Sequence, residues 1–154
     1  MKIGVVGVGH ALGGDDFVGI RVVEELSEEI DEPEVEFITT MDPSRIVYLL
    51  GDTEYMVIVD AVFGDTAGEV HLIDHAEYPF NLKAISSHGI GVPLAIEMAR
   101  SLGIDVEAKV RVVGISITEV RMYDDTLSEE VKKAIPVAKR MIMEIIKEFK
   151  GSKV

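Results

Sequence analysis

Two short stretches constrain this chain most. Lys2 to Val8 (KIGVVGV) and Tyr55 to Val62 (YMVIVDAV) are nearly continuous apolar runs rich in β-branched residues. Runs of this length, without polar residues at alternate positions, suit strands buried on both faces, as in a parallel sheet covered by helices on each side. Glu34 to Thr40 and Glu69 to Asp74 have strand composition, and Val106 to Ile115 (VEAKVRVVGI) alternates before turning apolar. Ala84 to Ser87 reads as a further strand end.

Helical patterns fill the intervals. Ile20, Val23, Leu26 and Ile30 form one stripe within Asp16 to Ile30. Asp42 as N-cap and Pro43 at the first helical position open a short helix to about Leu50, and Pro93 to Leu102 closes at Gly103. Thr126 or Ser128 caps a long final helix, with Thr126 and Glu129 fitting a capping box. Pro136 is expected to kink that helix or begin a second segment. Strands alternating with helices predict an α/β fold with a mostly parallel sheet and helices on both faces, in one domain over 1–154.

Composition excludes several kinds of function. The chain has no cysteine, which removes disulfides, thiolate metal sites and a cysteine nucleophile. A formal charge of −13 opposes binding to nucleic acid and anionic membranes. No charge-free apolar run reaches the roughly 18 residues of a membrane span, so no membrane insertion is expected. The N-terminus lacks a small-residue cleavage site and reads as a first strand, which points to a cytoplasmic protein.

The first run leads into GVGHALGGDDFVG, residues 7–19. Gly7, Gly9 and Gly13 give G-x-G-x-x-x-G, one residue longer than a dinucleotide fingerprint, and no P-loop lysine follows. Asp15 and Asp16 stand at the helix start, where a phosphate would meet negative charge. Aspartates there also cap a helix and complement its dipole. One suffices for that, so Asp15 is expected as the cap and Asp16 as the group facing the cleft. Asp60 interrupts the second run near its end, and His88 stands in SSHGIGVPLAI before a helix. A buried carboxylate such as Asp60 requires hydrogen bonds or a cation, and an isolated histidine also serves as a cap or in a core. Ligands of open α/β sheets gather beyond the carboxyl ends of the strands, where Asp16, Asp60 and His88 are all predicted. Two carboxylates and an imidazole suit a borderline divalent metal.

GVGHALGGDDFVG, Val59-Asp60-Ala61 and the SSHGIG segment around His88, with the late strand VRVVGI, make the chain resemble the nickel-iron hydrogenase maturation endopeptidases over nearly its whole length. The resemblance implies a three-layer α/β/α sandwich of about five mostly parallel strands, of the phosphorylase/hydrolase-like kind. It implies removal of a C-terminal extension from the hydrogenase large-subunit precursor after nickel insertion, by a monomer or weak dimer. It carries the metal-contacting and catalytic positions onto Asp16, Asp60 and His88, with nickel supplied by the substrate and Gly7, Gly9, His10 and Asp15 supporting the loop. Two departures stand out. His10 replaces the family's usual Asn, either bracing the turn or adding a contact, and GISIT (Gly114 to Thr118) lacks the Gln-Pro of many relatives. Either a bound metal activates water or the scissile carbonyl, or Asp16 or Asp60 is the general base. A nickel-checking chaperone that does not cut, and a nucleotide-binding α/β enzyme, are the alternatives.

The remaining polar and methionine clusters read as structural. His71 and His75, four apart, suit a ligand pair on a helix but not on a strand, and read as a solvated sheet edge. Met98, Met141 and Met143 fill core or helix contacts rather than a metal or peptide groove. Tyr123-Asp124-Asp125 is a solvated turn, with contact to the substrate as its alternative.

Overall fold

The computed structural model of the protein describes residues 1–74 and 91–151. Five strands, β1 (Ile3–Val8), β2 (Val35–Thr40), β3 (Tyr55–Phe63), β4 (Val70–Ile73) and β5 (Val110–Ile117), form one sheet in the order β2-β1-β3-β5-β4. β1, β2, β3 and β5 are parallel, and β4 runs antiparallel to β5. His71 lies exposed on β4, as a sheet-edge residue; His75, Ala84 to Ser87 and His88 lie outside the described residues.

Strand alternation sends each run to two cores. Ile3 and Val5 of β1 and Val57 and Val59 of β3 pack with α1 (Val18–Glu29) and α5 (Glu129–Gly151). Val6 and Val8, with Met56 and Ile58, pack with α2 (Arg45–Asp52), α3 (Val92–Ser101) and α4 (Val106–Lys109). The result is the three-layer α/β/α sandwich. Lys139 of α5 ties the first layer further, its Nζ 2.8 Å from Glu25 and 2.7 Å from Glu29 of α1.

Several boundaries differ from the sequence expectation, each for a local reason. Val106 does not begin a strand. Asp105 Oδ1 accepts the Ala108 N–H at 3.3 Å, and this cap turns Val106–Lys109 into a helical turn before β5 starts at Val110. The first helix follows a 3-10 turn, Gly14–Phe17. Asp42 binds Ser44 through its N–H (3.0 Å) and Oγ (2.6 Å), and tight bonds such as Ile46 N–H to Pro43 O (3.1 Å) precede α2. Ser128, not Thr126, caps α5, its Oγ accepting the Val131 N–H at 3.4 Å. Thr126 is committed to Asp124 instead. Pro136 begins no second segment. α5 continues through it, and Lys132 and Pro136 are both exposed, so solvent is at hand for the carbonyl that a proline nitrogen leaves unbonded. Met141 and Met143 pack on the core, whereas Met98 is exposed. Among the described residues no helix is long and apolar enough to cross a membrane.

Candidate functional site

The glycine loop brings backbone against backbone. A Cβ on Gly9 would stand 2.5 Å from the Asp16 carbonyl oxygen, and one on Gly7 2.5 Å from that of Gly19. A Cβ on Gly19 would lie 2.6 Å from the Val8 carbonyl oxygen and would also run into that of Val59. Main-chain atoms cannot swing aside, so each of these positions excludes any larger residue. The start of α1 therefore sits directly on the ends of β1 and β3. Gly19, three residues after Asp16, touches the carbonyl that immediately precedes Asp60.

Asp15 does not cap its own helix, the role expected from the sequence; its capping role goes elsewhere. Asp15 is only 4% exposed. Its carboxylate accepts the Ser128 N–H at 2.7 Å and the Ser128 Oγ–H at 2.9 Å, so it holds the start of α5 rather than its own helix. Burial drives this choice: a carboxylate out of water needs donors, and Ser128 supplies two. Asp16 is half-buried in the same 3-10 turn, its N–H donating to Gly13 O at 3.2 Å.

Asp60 marks the point where β3 outruns β1. Gly7 pairs with Val59, and beyond it β3 continues only against β5, with Asp60 opposite Gly114. Met56 to Val59 are buried and Asp60 is half-buried, so the charge appears as the strand emerges from the sheet interior. By strand alternation Asp60 follows Met56 and Ile58, on the face covered by α2 and α3. His10 Nδ1 accepts the Leu12 N–H at 3.4 Å, in keeping with a bracing role in the turn. Among the described residues no three His, Asp or Glu side chains form a group able to hold a metal. His88 lies outside them.

One neighbour of the loop is not legible in sequence. The backbone of Asp124 bridges Gly13: Gly14 N–H donates to Asp124 O at 2.7 Å and Asp124 N–H to Leu12 O at 3.3 Å. Tyr123-Asp124-Asp125 is thus no loose turn. The Asp124 carboxylate receives the Thr126 Oγ1–H (2.5 Å) and N–H (2.8 Å), and Arg121 Nε lies 3.4 Å away. Thr126's hydroxyl first, then its N–H, then the Arg121 charge hold the Asp124 carboxyl below the usual range. Tyr123 is left at φ 63°, which costs a bulky residue about 1–3 kcal/mol. The local spacing of Asp124 and Thr126 is the one sequence signal for this turn; its pairing with Gly13, more than a hundred residues earlier, leaves none.

Comparison with known proteins agrees on one family. A family model described as hydrogenase maturation protease matches residues 20–145, starting just past the glycine loop. Protein FrxA of Pyrococcus furiosus is 32% identical over 138 residues, covering 88% of this chain and 98% of that protein. The structure of the hydrogenase maturating endopeptidase HybD from E. coli is similar with a TM-score of 0.75 and 26% identity, over 96% of this chain and 93% of that one. The nickel-iron hydrogenase maturation protease HycI from Thermococcus kodakarensis, at 24% identity and a TM-score of 0.71, covers 95% of this chain and 92% of its own, and shares the fold.

Proposed function

This chain belongs to the hydrogenase maturation protease family and is an endopeptidase, and on that premise we propose that it removes the C-terminal extension of a nickel-iron hydrogenase large-subunit precursor after nickel insertion. The nickel is part of the substrate. Asp16, Asp60 and His88 are the residues proposed to contact it, and the same residues carry the catalytic role. The observation that best supports this is the close packing of Gly19 on the Val59 carbonyl, which fixes the turn bearing Asp16 against the strand end bearing Asp60. The chain also has no cysteine, so its donors are hard or borderline ones that complete a coordination sphere built by the partner's thiolates.

A divalent ion beside the scissile carbonyl polarises it or lowers the pKa of nearby water. The chain's own contribution is positional and basic. Either Asp16 or Asp60 takes a proton from water as its oxygen adds to the carbonyl carbon, and returns the proton to the amine as the C–N bond breaks. Asp15 and the loop glycines hold these carboxylates in place. The protein works in the cytoplasm as a monomer or weak dimer, and alone it holds metal weakly.

The test is mass spectrometry of nickel-loaded and nickel-free precursor after incubation with the protein. The expected outcome is a shortened C-terminus only with nickel. Full cleavage of nickel-free precursor sinks the recognition role of nickel, and an intact C-terminus in both sinks the cleavage.

A further inference from the structure

Leu12, Met41, Val120, Met122 and Tyr123 are exposed apolar residues, and all lie just beyond the carboxyl ends of parallel strands: Leu12 after β1, Met41 after β2, the other three after β5. Asp60 emerges from β3 at the same edge. Tyr123 is 84% exposed and Met122 62%. They are not a loose tip, because the Gly14 and Asp124 backbone bonds fasten this segment to the loop that carries Asp16. The chain also keeps Tyr123 at a positive φ that a glycine would occupy without strain. An aromatic held out into water on a pinned, strained turn needs a reason outside its own fold.

We infer that this apolar rim is where the folded body of the precursor docks, so that Tyr123 and Met122 set substrate recognition while Asp16 and Asp60 act on the tail. This rests on the proteolytic reading given above. Two observations select the occupant. The rim is continuous with the loop of an endopeptidase, so a polypeptide must pass it to be cut. Its flank is acidic, with Glu119, Asp124 and Asp125 against Arg121 alone over 119–125, so the matching face is apolar with a basic border. Large aromatic residues that become buried at the centre of an interface act as its anchors.

The experiment measures Kd, KM and kcat for nickel-loaded precursor with the wild-type protein, Tyr123→Gly, Met122→Ser and, as a control, Tyr48→Ser, which alters an exposed tyrosine on α2. Tyr123→Gly relieves the backbone strain, so it is expected to fold; Met122→Ser gives a second reading of the same surface. Docking predicts that Kd and KM rise about tenfold in both rim variants, with kcat and the control unchanged. Unchanged Kd in both rim variants overturns it, as does a wild-type protein that does not bind the precursor. A wild-type dimer that dissociates in Tyr123→Gly puts a second copy on the rim and also overturns it. Binding that depends on Tyr123 without any cleavage leaves docking standing and removes the proteolytic reading instead.

Discussion

Asp15 takes both the backbone N–H and the hydroxyl of Ser128, at 2.7 and 2.9 Å, across 113 residues of sequence. The contact joins the glycine loop to the capping residue just before α5, and through α5 to the core that also supports β1 and β3. Asp15→Ala removes a buried charged acceptor and leaves two donors without it. The expected loss is about 2–3 kcal/mol in urea unfolding, with Asp15→Asn losing less. Ser128→Ala forfeits the hydroxyl bond and the cap on Val131, about 1 kcal/mol. The double variant is expected to lose less than the sum, since both changes cut one interaction.

The contact between α1 and the strand ends makes Gly19 sensitive in a way its helical position does not suggest. Gly19→Ala drives a methyl into the Val8 and Val59 carbonyls. It is expected to destabilise the fold by about 1–3 kcal/mol and to lower cleavage as Asp16 shifts from Asp60. Gly51, in the last turn of α2, has nothing within 4 Å of an added Cβ. Gly51→Ala is therefore expected to gain about 0.5–1 kcal/mol with activity intact. Thermal unfolding and precursor cleavage on the same samples separate the two outcomes.

Local signals were legible in the sequence, and long-range ones were not. Gly103 ends α3 as read, because its cap is made of near neighbours: Gly103 N–H to Arg100 O at 3.0 Å and Ile104 N–H to Ala99 O at 3.1 Å. The buried strands are readable from β-branched runs, and their alternation with helices gives a mostly parallel sheet covered on both faces. Val106 reads as strand from its period-two pattern, but a single side chain, Asp105, outweighs that pattern. The partner of Asp15 and the docking of Asp124 on Gly13 depend on chain segments over a hundred residues apart, which no local pattern encodes. Asp60 is legible as a charge that interrupts an apolar run and Asp16 as a second aspartate at a helix start; the role of Gly19 in fixing their relation is not.

Acid should loosen the segment that carries Tyr123. Asp124 and Asp42 both have carboxyl groups held below the ordinary value of 3.8, each chiefly by a neighbouring hydroxyl, Thr126 and Ser44. A lowered native pKa contributes stability that is fully present above 3.8 and is lost as the pH falls through the native value. The slope of urea stability against pH below about 4 is therefore expected to flatten in Asp124→Asn and Asp42→Asn. An unchanged slope in both variants contradicts these assignments.

Metal removal should leave the isolated protein alone. If nickel arrives with the precursor, chelation changes the melting temperature by less than about 1 °C, since a ligand at or below its Kd adds no more than about 0.4 kcal/mol. Differential scanning calorimetry with and without chelator reads this directly. A fall of several degrees, with stoichiometric metal in the untreated protein, would assign the ion to the enzyme as a resident group.

The central claim is that Asp16 and Asp60 act on a nickel-bearing precursor. Its most direct test is the rate at which Asp60→Asn shortens that precursor, followed by mass spectrometry, beside a urea midpoint for the same variant. The account predicts a rate at least about a hundredfold below wild type with the midpoint held. Cleavage at the wild-type rate by a folded Asp60→Asn protein would contradict it.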